Sequence, residues 1–182
     1  NMDNSGIIVN KMNARADSLL VQPETRDFNT LINCCSFARK VGADKSGEDD
    51  DSLLEKQIAH HEIFNIAEGA LNALLSSDYA QPDPATFAGI IRACINLLPN
   101  TDRRDDRVIE LFRLAYRTPS SEAPSPRISS TATERMRAPP GAGCVDANVL
   151  RQLRLALPST EDYIRVREEF EKFRSQNIGE KK

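Results

Sequence analysis

The residues best suited to chemistry in this chain of 182 residues are one histidine pair and four cysteines. His60, His61 and Glu62 are residue types that bind metals or transfer protons. Adjacent side chains on a helix point in different directions, however, and neither an H-E-x-x-H pattern nor a third ligand at helical spacing accompanies them. We therefore interpret the three as surface residues, and we predict no metal site and no cofactor.

The cysteines show no catalytic or metal-binding spacing. Cys34 and Cys35 are adjacent, no C-x-x-C pair occurs, and no activating histidine lies near them in the sequence. We expect Cys34, Cys35 and Cys94 to be small apolar core residues in a reducing compartment, and Cys144 to lie in a loop. A nucleophile elbow and a phosphate-binding glycine loop are absent too, so we predict neither a catalytic residue nor a small-molecule substrate.

Two arginine clusters could contact phosphate groups. Arg103, Arg104 and Arg107 alternate with acidic residues, which favours a self-paired, solvated start of a helix. Arg151 and Arg154 are less compensated by acidic neighbours, and they are the better candidates for phosphate contacts. The alternative interpretation of this second cluster is a polar helix face.

The overall charge limits the possible partners. With 24 basic and 27 acidic residues the net charge is −3, so the molecule as a whole does not attract a polyanion, and any contact with nucleic acid must be local. No apolar stretch reaches the roughly 20 residues that span a bilayer, and no signal-peptide region opens the chain. We expect a soluble protein that is not secreted and does not bind a membrane.

Composition and periodicity predict an all-α fold. Aromatic residues make up 5% of the chain and tryptophan is absent, which disfavours sheets because strands prefer aromatic and β-branched side chains. Apolar residues recur at helical spacing in successive segments that end at turn residues. The expected organisation begins with an N-terminal segment at 1–22 that has room for one helix. Two helical hairpins follow at 23–117, with an acidic insertion at 41–60. A flexible Pro/Ser-rich linker at 118–145 then leads to a C-terminal helix pair at 146–178.

Two segments of the chain repeat each other. Residues 23–32 and 82–91 both begin with proline and an acidic residue, carry phenylalanine five positions after the proline, and continue with two aliphatic residues. The two phenylalanines, Phe28 and Phe87, are 59 residues apart, and Cys35 matches Cys94 at the same offset. An internal repeat of this kind is typical of helical-repeat proteins.

The repeated pattern resembles the pentatricopeptide repeat, a two-helix unit whose first helix opens with an aromatic residue and asparagine after a Pro-Asp junction. The first unit departs from that pattern because it is longer and holds the acidic insertion. The resemblance implies antiparallel helix hairpins stacked as a short right-handed α-α superhelix of tetratricopeptide-like shape. It also implies binding of single-stranded RNA in organellar RNA processing or translation, in a mitochondrion or plastid; without the resemblance we expect a cytoplasmic protein.

The resemblance further implies a base-recognition pair in the first unit, Asn29 with Asp83, which would prefer pyrimidines and uracil above all. Asparagine can bond a base edge as donor and acceptor, and aspartate can hold the orientation of its amide. Ala88 occupies the matching place in the second unit and cannot hydrogen-bond a base. The alternative is that Asn29 is a polar residue near a helix start and Asp83 an N-cap.

Two other functional interpretations stay open at the level of sequence. The helices could form a protein-protein interaction scaffold of tetratricopeptide-like shape that binds no nucleic acid. The chain could also be a fragment without autonomous activity, since two or three repeats barely suffice for stability. A single recognised base is worth only a few kcal/mol, so RNA binding would be weak or would need further repeats or a partner.

Overall fold

The computed structural model of the chain describes residues 22–38, 50–119 and 143–179. All regular secondary structure in these ranges is helical, which confirms the prediction of an all-α protein. The helices are α1 Thr25–Ser36, α2 Asp50–Leu75, α3 Pro84–Leu97, α4 Asp102–Arg117, α5 Ala147–Ala156 and α6 Thr160–Gly179. None of the described helices is long and apolar enough to cross a membrane.

Acidic N-caps begin α1, α3 and α5. Asp83 and Asp146 each accept a hydrogen bond from the backbone N–H three residues on, which satisfies a donor that the helix leaves unpaired. The interpretation of Asp83 as an N-cap is confirmed. In α1 the cap is Glu24. Side-chain preference favours Thr25 as the cap, but the Thr25 hydroxyl donates instead to the carbonyl of Gln81 at 2.8 Å.

Helix α2 covers the second half of the segment that is predicted as the acidic insertion. α2 runs without a break from Asp50 to Leu75 and includes His60 and His61. Residues 50–60, predicted as part of the acidic insertion, are therefore the first turns of this helix, where acidic residues favour the N-terminus of the helix dipole. Residues 41–49 of the predicted insertion lie outside the described residues, as do residues 1–21 of the predicted N-terminal segment and residues 120–142 of the predicted linker.

Helix α3 lies at the centre of the fold. It packs against α1, α2, α4 and α5, while α1 also contacts α2, and α4 also contacts α5 and α6. A helix with neighbours on most sides must be apolar on most sides. The sequence of α3 satisfies this condition, because nine of its residues are buried: Thr86, Phe87, Ala88, Gly89, Ile90, Ile91, Ala93, Cys94 and Leu97.

An aromatic cluster attaches α6 to α4. The rings of Phe112 and Phe170 meet edge to face with centroids 5.6 Å apart, and the rings of Tyr116 and Phe173 lie at 4.7 Å. Such pairs stabilise a contact beyond the apolar area that they bury. The cluster belongs to the same continuous core that contains the buried residues of α3.

The end of the predicted linker packs into the core just before α5. Cys144 is buried, its N–H donates to the carbonyl of Ala115 at 2.9 Å, and its thiol donates to the carbonyl of Pro82 at 3.3 Å. Val145 is also buried. The expectation for the cysteines is wrong at Cys34, which is exposed, whereas Cys144 lies in a loop as expected and is in addition buried.

Candidate nucleic-acid interface

A cluster of three hydrogen-bonded side chains joins α1 to the start of α3. The side-chain amide of Asn29 donates from Nδ2 to both carboxylate oxygens of Asp83, at 3.1 and 3.2 Å. The hydroxyl of Thr86 donates to Asn29 Oδ1 at 2.6 Å. The structure thus brings Asn29 and Asp83 into contact and adds Thr86, which the sequence analysis missed.

Asp83 has two structural roles at once. As the N-cap of α3 it accepts the Thr86 N–H at Oδ1 over 2.8 Å, and its own N–H donates to Thr86 Oγ1 at 3.1 Å. Pro84 follows in the first turn, where its missing N–H leaves no bond unmade. The two interpretations of Asp83, as a helix cap and as a partner of Asn29, are therefore compatible.

The orientation of the Asn29 amide is fixed by its neighbours. A carboxylate only accepts hydrogen bonds, so the NH₂ group of Asn29 must face Asp83 and its oxygen must face the Thr86 hydroxyl. An amide has two N–H donors and two acceptor positions on its oxygen. The two oxygens of the Asp83 carboxylate lie close together as seen from Nδ2, so they share one N–H of Asn29. One donor and one acceptor position of Asn29 are then left, and a neighbouring donor and acceptor complement the Watson–Crick edge of a pyrimidine base.

A surface pocket of about 670 Å³ opens beside this cluster, within the roughly 300–1,000 Å³ that ligand sites occupy. Its lining comprises Glu24, Thr25, Arg26, Asn29, Thr30, Asn33, Tyr79 and Asp83. Among the described residues the lining is polar apart from the ring of Tyr79, and its charged members are one cation, Arg26, and two carboxylates, Glu24 and Asp83. Tyr79 is 72% exposed, so most of its ring faces solvent.

The loop that carries Tyr79 is held on both sides. The hydroxyl oxygen of Ser77 accepts the N–H groups of Tyr79 and Ala80, at 3.2 and 3.1 Å. Two residues after Tyr79, the N–H of Gln81 donates to the Thr25 hydroxyl oxygen at 3.2 Å. These bonds fix the backbone of the loop against the start of α1 and leave the tyrosine ring exposed.

The positions in α3 and α5 that correspond to Asn29 in α1 carry other residues. Counted from their N-caps, Ala88 in α3 and Arg151 in α5 match Asn29 in α1, since each lies five residues after the cap. Ala88 is 1% exposed, so a base cannot reach it, and we remove it from the candidate base contacts. Arg151 is exposed and has no ion-pair partner among the described residues.

Arg154, the other predicted phosphate contact, is occupied within the protein. Its guanidinium stacks over the ring of Tyr163 at 5.3 Å from the centroid. It also lies 3.4 Å from both the carbonyl oxygen of Leu157 and the hydroxyl oxygen of Thr160. These contacts attach the end of α5 to α6, so Arg154 has a structural role that does not require a phosphate ligand.

The first arginine cluster forms ion pairs with described residues, but only one of them, between Arg104 and Asp105, lies within the cluster as its sequence indicates. Arg107 forms ion pairs with Glu68 and Glu110. Arg104 pairs with Asp105 at 2.9 Å and donates to the carbonyl of Ala156 at 3.1 Å. Arg104 is buried rather than solvated, because it connects α4 to the end of α5.

A second exposed aromatic residue, Phe37, is the C-cap of α1 and lies beyond the pocket. Phe37 follows the pocket residue Asn33 by one helical turn, and the guanidinium of Arg92 lies over its ring at 5.1 Å from the centroid. Neither residue was singled out from the sequence, because an isolated phenylalanine at a helix end and a lone arginine carry no motif. Their contact extends the exposed face of α1 towards α3.

Comparison of the chain with protein-family models, curated proteins and solved structures finds no match. Within the described residues, no group of three or more His, Cys, Asp or Glu side chains is arranged to hold a metal ion. The chemistry of the site therefore rests on the geometry of the cluster and its pocket.

Proposed function

We propose that this chain binds single-stranded RNA at the pocket beside Asn29 and Asp83, as a pentatricopeptide-like helical-repeat protein. The observation that carries the proposal is the Asn29 amide, which Asp83 and Thr86 orient while one donor and one acceptor position stay unused. A pre-oriented amide at the wall of a pocket recognises a base edge without the cost of ordering a free side chain.

The preferred ligand is a pyrimidine, with uracil first. Uracil presents a carbonyl acceptor next to its N3–H donor, which complements the free donor and acceptor of Asn29. The resemblance of the repeat to the pentatricopeptide pattern favours the same base for an asparagine and aspartate pair. Unpaired bases are required, because a base-paired edge is already occupied.

The proposed architecture is a short right-handed α-α superhelix of two hairpins, followed by a C-terminal helix pair. In this arrangement α1, α3 and α5 are the first helices, and α2, α4 and α6 are the second helices. The packing of α1 on α3 and of α3 on α5 supports it, as do the acidic N-caps at the same place in each first helix. Stacked first helices would present one continuous surface to an extended strand.

Arginines on the first helices would bind the RNA backbone. Arg26, Arg92 and Arg151 lie on α1, α3 and α5, and none has an ion-pair partner among the described residues. Phosphate contacts supply most of the salt-dependent affinity of such complexes. Because the net charge of the whole chain is −3, these local cations would have to provide the attraction.

The implied setting is organellar RNA processing or translation. One recognised base gives limited affinity, since each base contributes roughly 1–3 kcal/mol. We therefore propose that the chain acts together with further repeats or with a partner, and that its own binding is weak and sensitive to salt.

Fluorescence anisotropy with labelled oligouridine and oligoadenosine, across a salt series, tests the proposal. We expect binding at low salt that prefers uridine and weakens in the Asn29→Ala variant. Asn72→Ala, which changes an exposed asparagine of α2 away from the pocket, is the matched control and should bind as the unmodified chain does. Equal binding of both oligonucleotides, or an Asn29→Ala variant with full affinity, would contradict base recognition.

A protein-protein interaction scaffold is the second candidate, and exposed apolar residues on the first hairpin favour it. Leu31 on α1 is 44% exposed and Ile66 on α2 is 54% exposed. Exposed apolar side chains of this kind mark protein contacts when they form a contiguous patch. If the chain binds no RNA at low salt, the protein-protein interaction scaffold becomes the favoured function.

A further inference from the structure

We propose that Tyr79 stacks on the nucleobase whose edge Asn29 binds, so that the pocket holds one unstacked nucleotide between an aromatic face and a hydrogen-bonding wall. This inference rests on the proposed function and assigns a role to a residue outside the repeat pattern. Tyr79 lines the same pocket as Asn29 and Asp83, and it is the only aromatic residue among the described residues that does so.

The exposure of Tyr79 supports this role. A tyrosine ring that is 72% exposed contributes little to the core, although large aromatic side chains usually bury most of their surface. Aromatic rings beside polar groups are the platforms on which single-stranded nucleic acids stack, because every base has a π-face whatever its edge. The pocket combines both elements, with the ring of Tyr79 for the face and Asn29 for the edge.

The loop around Tyr79 is suited to present the ring. Ser77 and Thr25 fix the backbone before and after it, so the ring can meet a base without ordering the loop first. Arg26 supplies a cation on the same pocket, which can attract the phosphate of the bound nucleotide. We infer that the ligand is a nucleotide within a single strand, since a base in a duplex has no free face.

The absence of tryptophan from the chain allows a direct test. In a Tyr79→Trp variant the new indole is the only one in the protein, and stacking on a base quenches its fluorescence. We expect saturable quenching by oligouridine and none by a duplex that contains the same strand. Phe37→Trp is the matched control, because it places a single indole at another exposed aromatic position outside the pocket lining, 67% exposed in the native chain.

Affinity measurements separate stacking from simple apolar contact. Tyr79→Phe should bind oligouridine like the unmodified chain, whereas Tyr79→Leu should bind roughly 5- to 150-fold more weakly, the loss typical of one stacked base. Because the side chain is exposed, we expect both variants to keep the thermal unfolding of the parent. An unchanged affinity in Tyr79→Leu, or equal quenching of the two tryptophan variants, would overturn the proposal.

The same experiments distinguish this inference from the proposed function. If the unmodified chain binds oligouridine and Asn29→Ala weakens it while Tyr79→Leu does not, only the stacking role is wrong. If the unmodified chain binds neither oligonucleotide and Tyr79→Trp is not quenched, RNA binding itself is wrong and both proposals are overturned.

Discussion

Asn29 and Asp83 are 54 positions apart in the sequence, yet the amide of the first donates to both carboxylate oxygens of the second. The same carboxylate caps α3. The candidate site is therefore coupled to the folding of α3, because the group that orients Asn29 is also the group that starts the helix. A substitution at Asp83 can affect stability and ligand binding through separate bonds.

Substitutions at Asp83 should separate these two effects. Asp83→Ala removes the cap and should lower the free energy of unfolding by about 1 kcal/mol, a loss typical of N-caps. Asp83→Ser keeps a capping oxygen and should be more stable than Asp83→Ala in urea titrations. The serine is too short to hold the Asn29 amide as the carboxylate does, so both variants should lose the preference for uridine. A serine variant that keeps this preference would contradict the orienting role of Asp83.

Sequence patterns predicted the parts of the site that depend on one helix at a time. The N-cap at Asp83 and the helix that carries Asn29 follow from capping preference and periodicity. The burial of Ala88 and the third bond of the cluster, from Thr86, could not be predicted, because both depend on how closely α1 and α3 pack. Nothing in the sequence marks Tyr79, because its position depends on bonds from Ser77 and from a distant helix.

Helix α5 shows a related limit. α5 begins at an acidic cap as α1 and α3 do, but the spacing from Asp83 to Asp146 is 63 residues and the motif around Asp146 lacks the proline and the aromatic residue. The correspondence of α5 with α1 and α3 could be recognised only when residues were counted from the N-caps in the structure. Cys144 lies in a loop, as its surroundings in the sequence predict, but its burial by contacts with Ala115 and Pro82 could not be predicted.

Gly143 should be intolerant of any side chain. Its φ is +57°, and an added Cβ would lie 2.5 Å from the carbonyl oxygen of Tyr116 and 2.8 Å from that of Ala115. Strain in the left-handed region and the clash with rigid backbone should together cost about 2 kcal/mol or more in Gly143→Ala. Gly69→Ala is the control, because an added Cβ there meets nothing within 4 Å and the residue lies within α2.

Chemical denaturation of the two alanine variants checks this prediction. Gly69→Ala should be neutral or should stabilise the protein by up to about 1 kcal/mol, since alanine is the better helix former. If Gly143→Ala unfolds at the same urea concentration as the parent, the turn does not pack on α4 as described.

The four thiols should differ sharply in reactivity. Burial raises the pKa of Cys94 and of Cys144 to about 12, and it also raises the pKa of Cys35. Because the thiolate is the reactive form, these three should react slowly with a disulfide reagent at pH 8 in the native protein. Cys34 is exposed and should react first.

Ellman's reagent measures these thiols directly. We expect one fast thiol in the native protein, which disappears in Cys34→Ser, and all four after unfolding in urea. Two or more fast thiols in the native protein would contradict the buried positions of the other cysteines.

The attachment of α6 to α4 should depend on pH through Glu169. Its carboxylate accepts hydrogen bonds from Arg113 at 3.0 and 2.8 Å and from the Tyr116 hydroxyl at 2.6 Å. The bond from Arg113 lowers the pKa of Glu169 below its ordinary value of 4.5. A carboxyl with a lowered pKa stabilises the fold above its ordinary pKa, and this stabilisation is lost as the pH falls through the folded-state pKa.

Glu169→Gln should therefore be less stable than the parent at pH 7, by about 0.5–1 kcal/mol for a partly exposed pair. The difference should shrink as the pH is lowered from 5 towards 3, because the parent then loses the same charge. Urea titrations at several pH values measure this convergence, with Glu168→Gln, an exposed neighbour on the same helix, as the control. If the stability difference between Glu169→Gln and the parent stays constant over this range, the carboxylate charge does not hold α6 against α4, and the aromatic cluster around Tyr116 provides the attachment.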